Sequence, residues 1–207
     1  MKFLATAAFL LAAAAVQAQP AYYRVTGVAA DDTLNVRAEP SASSADIGDL
    51  PPNAEGIEVI VTDASGDWGR IVWQEGNAWI SMHFLAPQDL PAIADTALPA
   101  GLQCGGTEPF WGLNLSGTSG VYSDISGTNL SLNLTNARVA EGLAQFPVAL
   151  SLSTTGAGVL ATIQPALCGD GMSDRDYPYS LTLFLETGQG RRFLAGCCSL
   201  PLEAGSN

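Results

Sequence analysis

Leu34-Asn35-Val36-Arg37-Ala38-Glu39-Pro40-Ser41, answered some forty residues later by Trp79-Ile80-Ser81-Met82-His83-Phe84-Leu85, is the stretch that decides the fold. Leu34 and Val36 alternate with Asn35 and Arg37, the period of a strand with one buried face, and Glu39-Pro40-Ser41 ends it at a turn. Outward from this frame, residues 22–28, 33–36, 56–62, 68–73 and 77–80 form β-prone runs. Asp31-Asp32, Pro51-Pro52-Asn53, Ala64-Ser65-Gly66-Asp67 and Glu75-Gly76-Asn77 punctuate them. Strands this short and this closely spaced predict a small barrel.

The same grammar recurs at greater length toward the C-terminus. Residues 110–116, 120–125, 130–135, 148–153, 159–164, 180–186 and 191–197 read as strands. Leu130, Leu132 and Leu134 alternate with Ser131 and Asn133, and Leu181, Leu183 and Leu185 with Thr182 and Phe184. Helix signals are confined to a turn near 138–143. The fold class is therefore all-β: a small barrel over 22–87, a Pro/Ala-rich linker over 88–101, and a second antiparallel β-barrel over 102–202. Across 86–101, Pro87, Pro91 and Pro99 fix φ and remove donors, which predicts an extended spacer.

The N-terminus predicts export. Lys2 precedes an apolar run over 3–16, and Val16-Gln17-Ala18 supplies small residues for cleavage, so 1–18 reads as a signal peptide. The run is too short to span a hydrocarbon core of roughly 30 Å as a helix. An uncleaved anchor is the alternative; with the leader removed, no stable membrane insertion is expected. The expected location is periplasmic or secreted.

Charge narrows the partners. All 20 acidic residues lie beyond the leader, against seven arginines and no lysine, and the whole chain carries a formal charge of −12. Such a surface repels phosphate and lacks the cations that neutralise it, which excludes nucleic acid.

Cys104, Cys168, Cys197 and Cys198 all fall in the second half, and export favours disulfides. A bridge between the neighbours Cys197 and Cys198 is disfavoured, because their Cα atoms are about 3.8 Å apart. Each should pair with one of Cys104 and Cys168, in either combination. Zinc lacks the usual Cys-x-x-Cys spacing and a nearby His. Asp170, Asp174 and Asp176 break the calcium-loop spacing, with Arg175 among them, so no metal and no cofactor are expected.

Several landmarks bear a family resemblance. Leu34-Asn35-Val36-Arg37-Ala38-Glu39-Pro40-Ser41 is followed by Ile47-Gly48-Asp49-Leu50-Pro51-Pro52-Asn53-Ala54, Gly66-Asp67-Trp68-Gly69-Arg70-Ile71, Asn77-Ala78-Trp79-Ile80 and Phe84-Leu85. In order and spacing these resemble the bacterial SH3 (SH3b) domain. The resemblance implies an SH3-like barrel in an envelope protein that docks onto peptidoglycan peptides or a protein partner. It also implies a structural role for Arg37, tying a long loop to the barrel. Leu34, Val36, Ile57, Val59, Ile71, Ile80 and Leu85 are expected in the core, with Trp79 packed among them. The second half is similar to a Cys-containing domain of exported envelope proteins, related in architecture to META-type lipoprotein barrels. It carries Cys104-Gly105-Gly106-Thr107-Glu108-Pro109-Phe110-Trp111 and Cys168-Gly169-Asp170-Gly171-Met172-Ser173-Asp174-Arg175-Asp176-Tyr177. That resemblance brings no activity with it.

The candidate ligand-binding residues are Trp68, Trp73, Glu108, Trp111, Asp174, Arg175 and Tyr177. Trp68 and Trp73 end one strand, where a ring can stay exposed for a peptide or sugar or pack under a loop. Glu108 and Trp111 are expected to converge with Asp170, Asp174, Arg175, Tyr177 and Tyr179 at one barrel end. There they would hold a polar ligand, or else Arg175 and a carboxylate brace a stapled loop. No catalytic residue is assigned. A Ser or Cys nucleophile needs a base, and the only His, His83, sits in the first barrel. The reading is a non-catalytic envelope binding protein. The alternative is a cell-wall hydrolase acting through Glu108 and Asp174.

Overall fold

A strand sends successive side chains to opposite faces, so period-two alternation builds two layers with a core between them. The computed structural model describes residue 18 and residues 20–202. All of the expected leader except Ala18 lies outside the described residues.

The N-terminal module comprises β1 (Ala21–Val25), β2 (Leu34–Arg37), β3 (Asp46–Leu50), β4 (Ile57–Val59), β5 (Val61–Thr62), β6 (Trp68–Trp73), β7 (Gly76–Ser81) and β8 (Leu85–Pro87). A single 3-10 turn, Met82–Phe84, links the last two. One sheet runs β3-β2-β7-β6-β5 and the other β4-β1-β8. Leu34, Val36, Leu50, Ile57, Val59, Ile71 and Ile80 are buried between them. Arg37 ties the long loop as expected, its Nη1 donating to Ser44 O at 3.0 Å.

Two strands here carry no clear signal. β3 holds two carboxylates and Gly48, which is required because a Cβ there would meet the Trp73 ring at 2.3 Å. β8 contains Pro87, tolerated because the strand lies at a sheet edge. Trp79 departs from expectation. Ala78 and Ile80 point inward, so period two turns Trp79 to the outer face, beneath the Arg70 guanidinium at 5.9 Å.

The second unit comprises β9 (Gln103–Thr107), β10 (Phe110–Leu115), β11 (Ser119–Asp124), β12 (Asn129–Val139), β13 (Val148–Thr154), β14 (Ala157–Cys168), β15 (Tyr177–Thr187) and β16 (Gly190–Ser199). Each strand pairs antiparallel with the next, and β16 returns to β9 to close the barrel. Closure leaves no edge. The lumen of an eight-stranded barrel is just wide enough for side chains to fill. Leu113, Leu132, Leu150, Ala161, Ile163, Leu181 and Leu183 do so. β9 reads as a loop in sequence because it is Gln-Cys-Gly-Gly-Thr, yet the seam demands glycine. A Cβ on Gly106 would meet Trp111 Nε1 at 2.4 Å, and one on Gly196 would meet Gly105 O at 2.1 Å. Glycine here permits close strand approach rather than a turn.

The stretch 88–101, expected as an extended spacer, is instead a folded plug. Ile93 N donates to Leu98 O at 2.8 Å, Ala100 N to Pro91 O at 2.8 Å, and Ala92 bridges Pro99. Ile93 and Leu98 are fully buried in the barrel core beside Leu102. The apolar barrel end offers these side chains more than solvent does, and the prolines sit where no ladder needs their donors. Both disulfides obey the neighbour rule. Cys104–Cys198 joins directly opposed residues of β9 and β16, and Cys168–Cys197 ties the end of β14 to β16 across β15.

Candidate functional site

Two contacts join the modules. The first is made by the β14–β15 loop (residues 169–176), which the Cys168–Cys197 bridge pins at its root. The Asp170 carboxylate shapes this loop by accepting from Met172 N (2.9 Å), Ser173 N (2.8 Å), Ser173 Oγ (2.8 Å) and Tyr177 OH (3.1 Å). Burial pushes that carboxyl up, but these hydrogen bonds outweigh it and hold the group down to about 2. The loop then grips the β6–β7 turn. The Asn77 side chain donates to Asp174 O at 2.8 Å and accepts from Asp176 N at 3.0 Å, bracketing the backbone between them. Asp176 pairs with Arg70 Nη1 at 2.9 Å, and Arg175 Nη2 with Glu75 Oε1 at 3.1 Å.

The second contact is buried. Tyr22 OH lies 2.5 Å from Tyr179 OH, and Leu200 N donates to Glu58 Oε2 at 3.0 Å. Among the described residues Glu58 Oε1 has no partner. Desolvation pushes the Glu58 carboxyl up to about 8, opposed only in part by the bond from Leu200 and the nearby Tyr22 hydroxyl. Burial also pushes both tyrosine hydroxyls up.

Between these contacts opens a cleft of about 620 Å³, within the size range of small-molecule sites. Its floor is the outer wall of the barrel seam. There Asn114, Gln103 and Ser199 stand in one register row across β10, β9 and β16. Arg175, Tyr177, Trp73 and Gln74 line its sides, with Arg175 Nε donating to Gln74 O, and Leu200 and Leu202 complete the lining.

The module that supplies Trp73 can now be placed. Residues 32–86 match the bacterial SH3 domain family. No curated protein and no solved structure matches the chain. The second barrel falls outside the matched residues, and its likeness to META-type barrels stays an expectation.

Four of the seven expected ligand-binding residues line the cleft between the SH3b module and the barrel: Trp73, Trp111, Arg175 and Tyr177. Trp73 also packs on Gly48, and its Nε1 donates to Ile47 O at 3.4 Å, so it braces the SH3b sheet. Trp111 points into the barrel, buried and stacked on Tyr122 at 6.3 Å, and meets the cleft only through the bare glycine seam. The other three lie elsewhere. Trp68 sits at the far end of β6 opposite Ser81, Glu108 is exposed on the β9–β10 turn, and Asp174 serves the SH3b turn through its backbone.

The expected convergence at one barrel end is therefore corrected. The 169–176 loop folds down the outer wall, where Thr107 Oγ1 donates to Asp170 O at 2.7 Å, because Cys197 faces outward on β16. One barrel end is filled by the Ile93–Leu98 plug. Near the other, Asp124 binds Arg192 Nη1 at 2.6 Å and Tyr122 OH at 3.2 Å. Hydrogen bonding, chiefly from Ser126, holds the Asp124 carboxyl down to about 2, and burial pushes Tyr122 up to about 12. Sequence reasoning missed Gln103 and Asn114, which look like ordinary polar strand residues. It also missed Glu58, whose burial no local pattern announces, since the tail that covers it lies 142 positions away.

Proposed function

We propose that this is an extracytoplasmic, non-catalytic binding protein that holds a peptide-like ligand in the cleft between its SH3b module and its barrel. The SH3b match and two disulfides in a chain without free cysteine are consistent with an extracytoplasmic setting. The observation that carries the reading is the make-up of the cleft: both modules line it with amides, a guanidinium and aromatic rings. Each side-chain amide offers a donor and an acceptor together. Asn77 already uses that pairing on the backbone of the 169–176 loop, and exposed Gln103 and Asn114 offer it to a second chain. Arg175, whose present partner Glu75 is exposed, supplies a cation that a ligand carboxylate could share. A wall peptide and an extended segment of an envelope protein both satisfy this chemistry. Hydrolysis receives less support. Glu108 stands on the β9–β10 turn and Asp174 on the loop against the SH3b turn, and among the described residues no hydrogen bond links the two segments at these positions.

Retention on purified peptidoglycan at moderate salt tests the reading. The wild-type chain should be retained. The Gln103→Ala/Asn114→Ala double variant should lose about thirtyfold in retention with unchanged melting, as expected for two lost hydrogen bonds of about 1 kcal/mol each. Absence of wild-type retention would remove the wall peptide as ligand. Release of soluble wall fragments would sink the non-catalytic assignment.

A further inference from the structure

The outer wall of β14, β15 and β16 carries residues that neither the cleft nor the core uses. Leu160, Phe184 and Phe193 stand directly opposite one another in register, forming a row that crosses three strands. They are 53%, 39% and 72% exposed. At about 150–250 Å² per large side chain, the row leaves roughly 300 Å² of apolar surface in water. Period two dictates that these residues face outward, because Ala161, Leu183, Leu185 and Leu194 fill the lumen. Packing inside the barrel therefore does not explain them.

We propose that this wall is a two-fold interface with a second copy of the chain. Charge is the first argument. The rows on either side of the apolar one are Thr162–Thr182–Ala195 and Gly158–Glu186–Arg191. The only charges among them neutralise each other, with Arg191 Nη2 at 2.8 Å and Nε at 2.9 Å from Glu186 Oε1. In a chain of formal charge −12, this wall carries no net charge. A basic partner would find no acidic row to meet, whereas a second neutral wall needs no complementary charge.

Symmetry is the second argument. A two-fold axis through Phe184 sets Leu160 of one copy against Phe193 of the other, twice, so the row is complementary to itself. Size is the third. An apolar row flanked by threonine and alanine reaches only the small, transient class of interfaces, below about 1,200 Å² in total. The pair should therefore be weak, associating in the micromolar range or above.

Sedimentation equilibrium of the purified chain over a wide concentration range tests this. The wild type should approach a dimer at high concentration. Phe193→Glu should weaken association at least tenfold, and Leu160→Arg should do the same. An equimolar mixture of those two variants should associate again. In the mixed pair the introduced carboxylate faces the introduced guanidinium, while the native Leu160–Phe193 contact survives on the other side of the axis. Ile125→Ser, an exposed change away from the wall, should dimerise like the wild type. A wild type that stays monomeric throughout would overturn the proposal. So would variants that fail to rescue each other, or a monomer whose phosphatidylcholine-vesicle binding depends on Phe193, which would make the row a lipid contact.

Discussion

The SH3b module and the barrel are both small all-β units, yet they hold themselves together differently. Among the described residues, nine buried side chains form the SH3b core and 21 the barrel core. The SH3b sheets have open edges and no disulfide, whereas the barrel has no edge and two disulfides. Small domains bury proportionally less surface and so need outside support. The SH3b module receives it from its neighbour. Leu202 packs against its core, Leu200 covers Glu58, and the 169–176 loop clasps its β6–β7 turn. The barrel closes on itself while the SH3b module is braced by its neighbour, so the junction between them is a structural element as well as the proposed binding site.

The largest effect expected to break this contrast comes from the seam. Replacing Cys104 and Cys198 by Ser opens a link between residues 94 positions apart, which should cost the barrel about 4 kcal/mol. Calorimetry should show the barrel transition falling while that of the SH3b module moves less. Equal shifts would mean the two units unfold as one.

Next comes Glu58. Its carboxyl is raised from an ordinary 4.5 to about 8, so between those values the folded chain holds a proton that the unfolded chain has released. The contribution of Glu58 to stability should therefore be complete below pH 4.5, be lost as pH rises toward 8 at a cost of several kcal/mol, and level off above. Glu58→Gln should flatten this slope in denaturant titrations run across that window. An unchanged slope would mean the carboxyl is not buried at the junction in solution.

Asn77→Ala sharpens the contrast from the other side. It removes the bracket on the 169–176 loop and should cost the SH3b module about 1–2 kcal/mol, with hydrogen exchange rising in β6 and β7 and little change in β12–β15. The smallest effect belongs to the exposed Glu186–Arg191 pair. Arg191→Ala should change monomer stability by less than about 0.5 kcal/mol.

The long leucine-alternating strands were legible because each buries one face against a lumen, which imprints period two on the residues themselves. Leu181, Leu183 and Leu185 are buried as that pattern requires. The pairing of each neighbouring cysteine with a distant one was legible for a geometric reason, and so was the frame from Leu34 to Leu85. Of the site, Trp73, Arg175 and Tyr177 were legible as residue types suited to binding. Their meeting place was not, since the row of Gln103, Asn114 and Ser199 exists only once β9 has joined β10 and β16.

Local sequence thus determined the all-β class, the two-unit organisation and the disulfide logic, because hydrophobic period, turn chemistry and chain geometry act over a few residues. Tertiary structure alone decided that a proline-rich stretch plugs a barrel, that glycines form a strand, that Glu58 is buried and that a cleft opens between the modules. Each of these depends on surfaces brought together from distant parts of the chain, and burial there is a property of the assembled neighbours rather than of the residue itself.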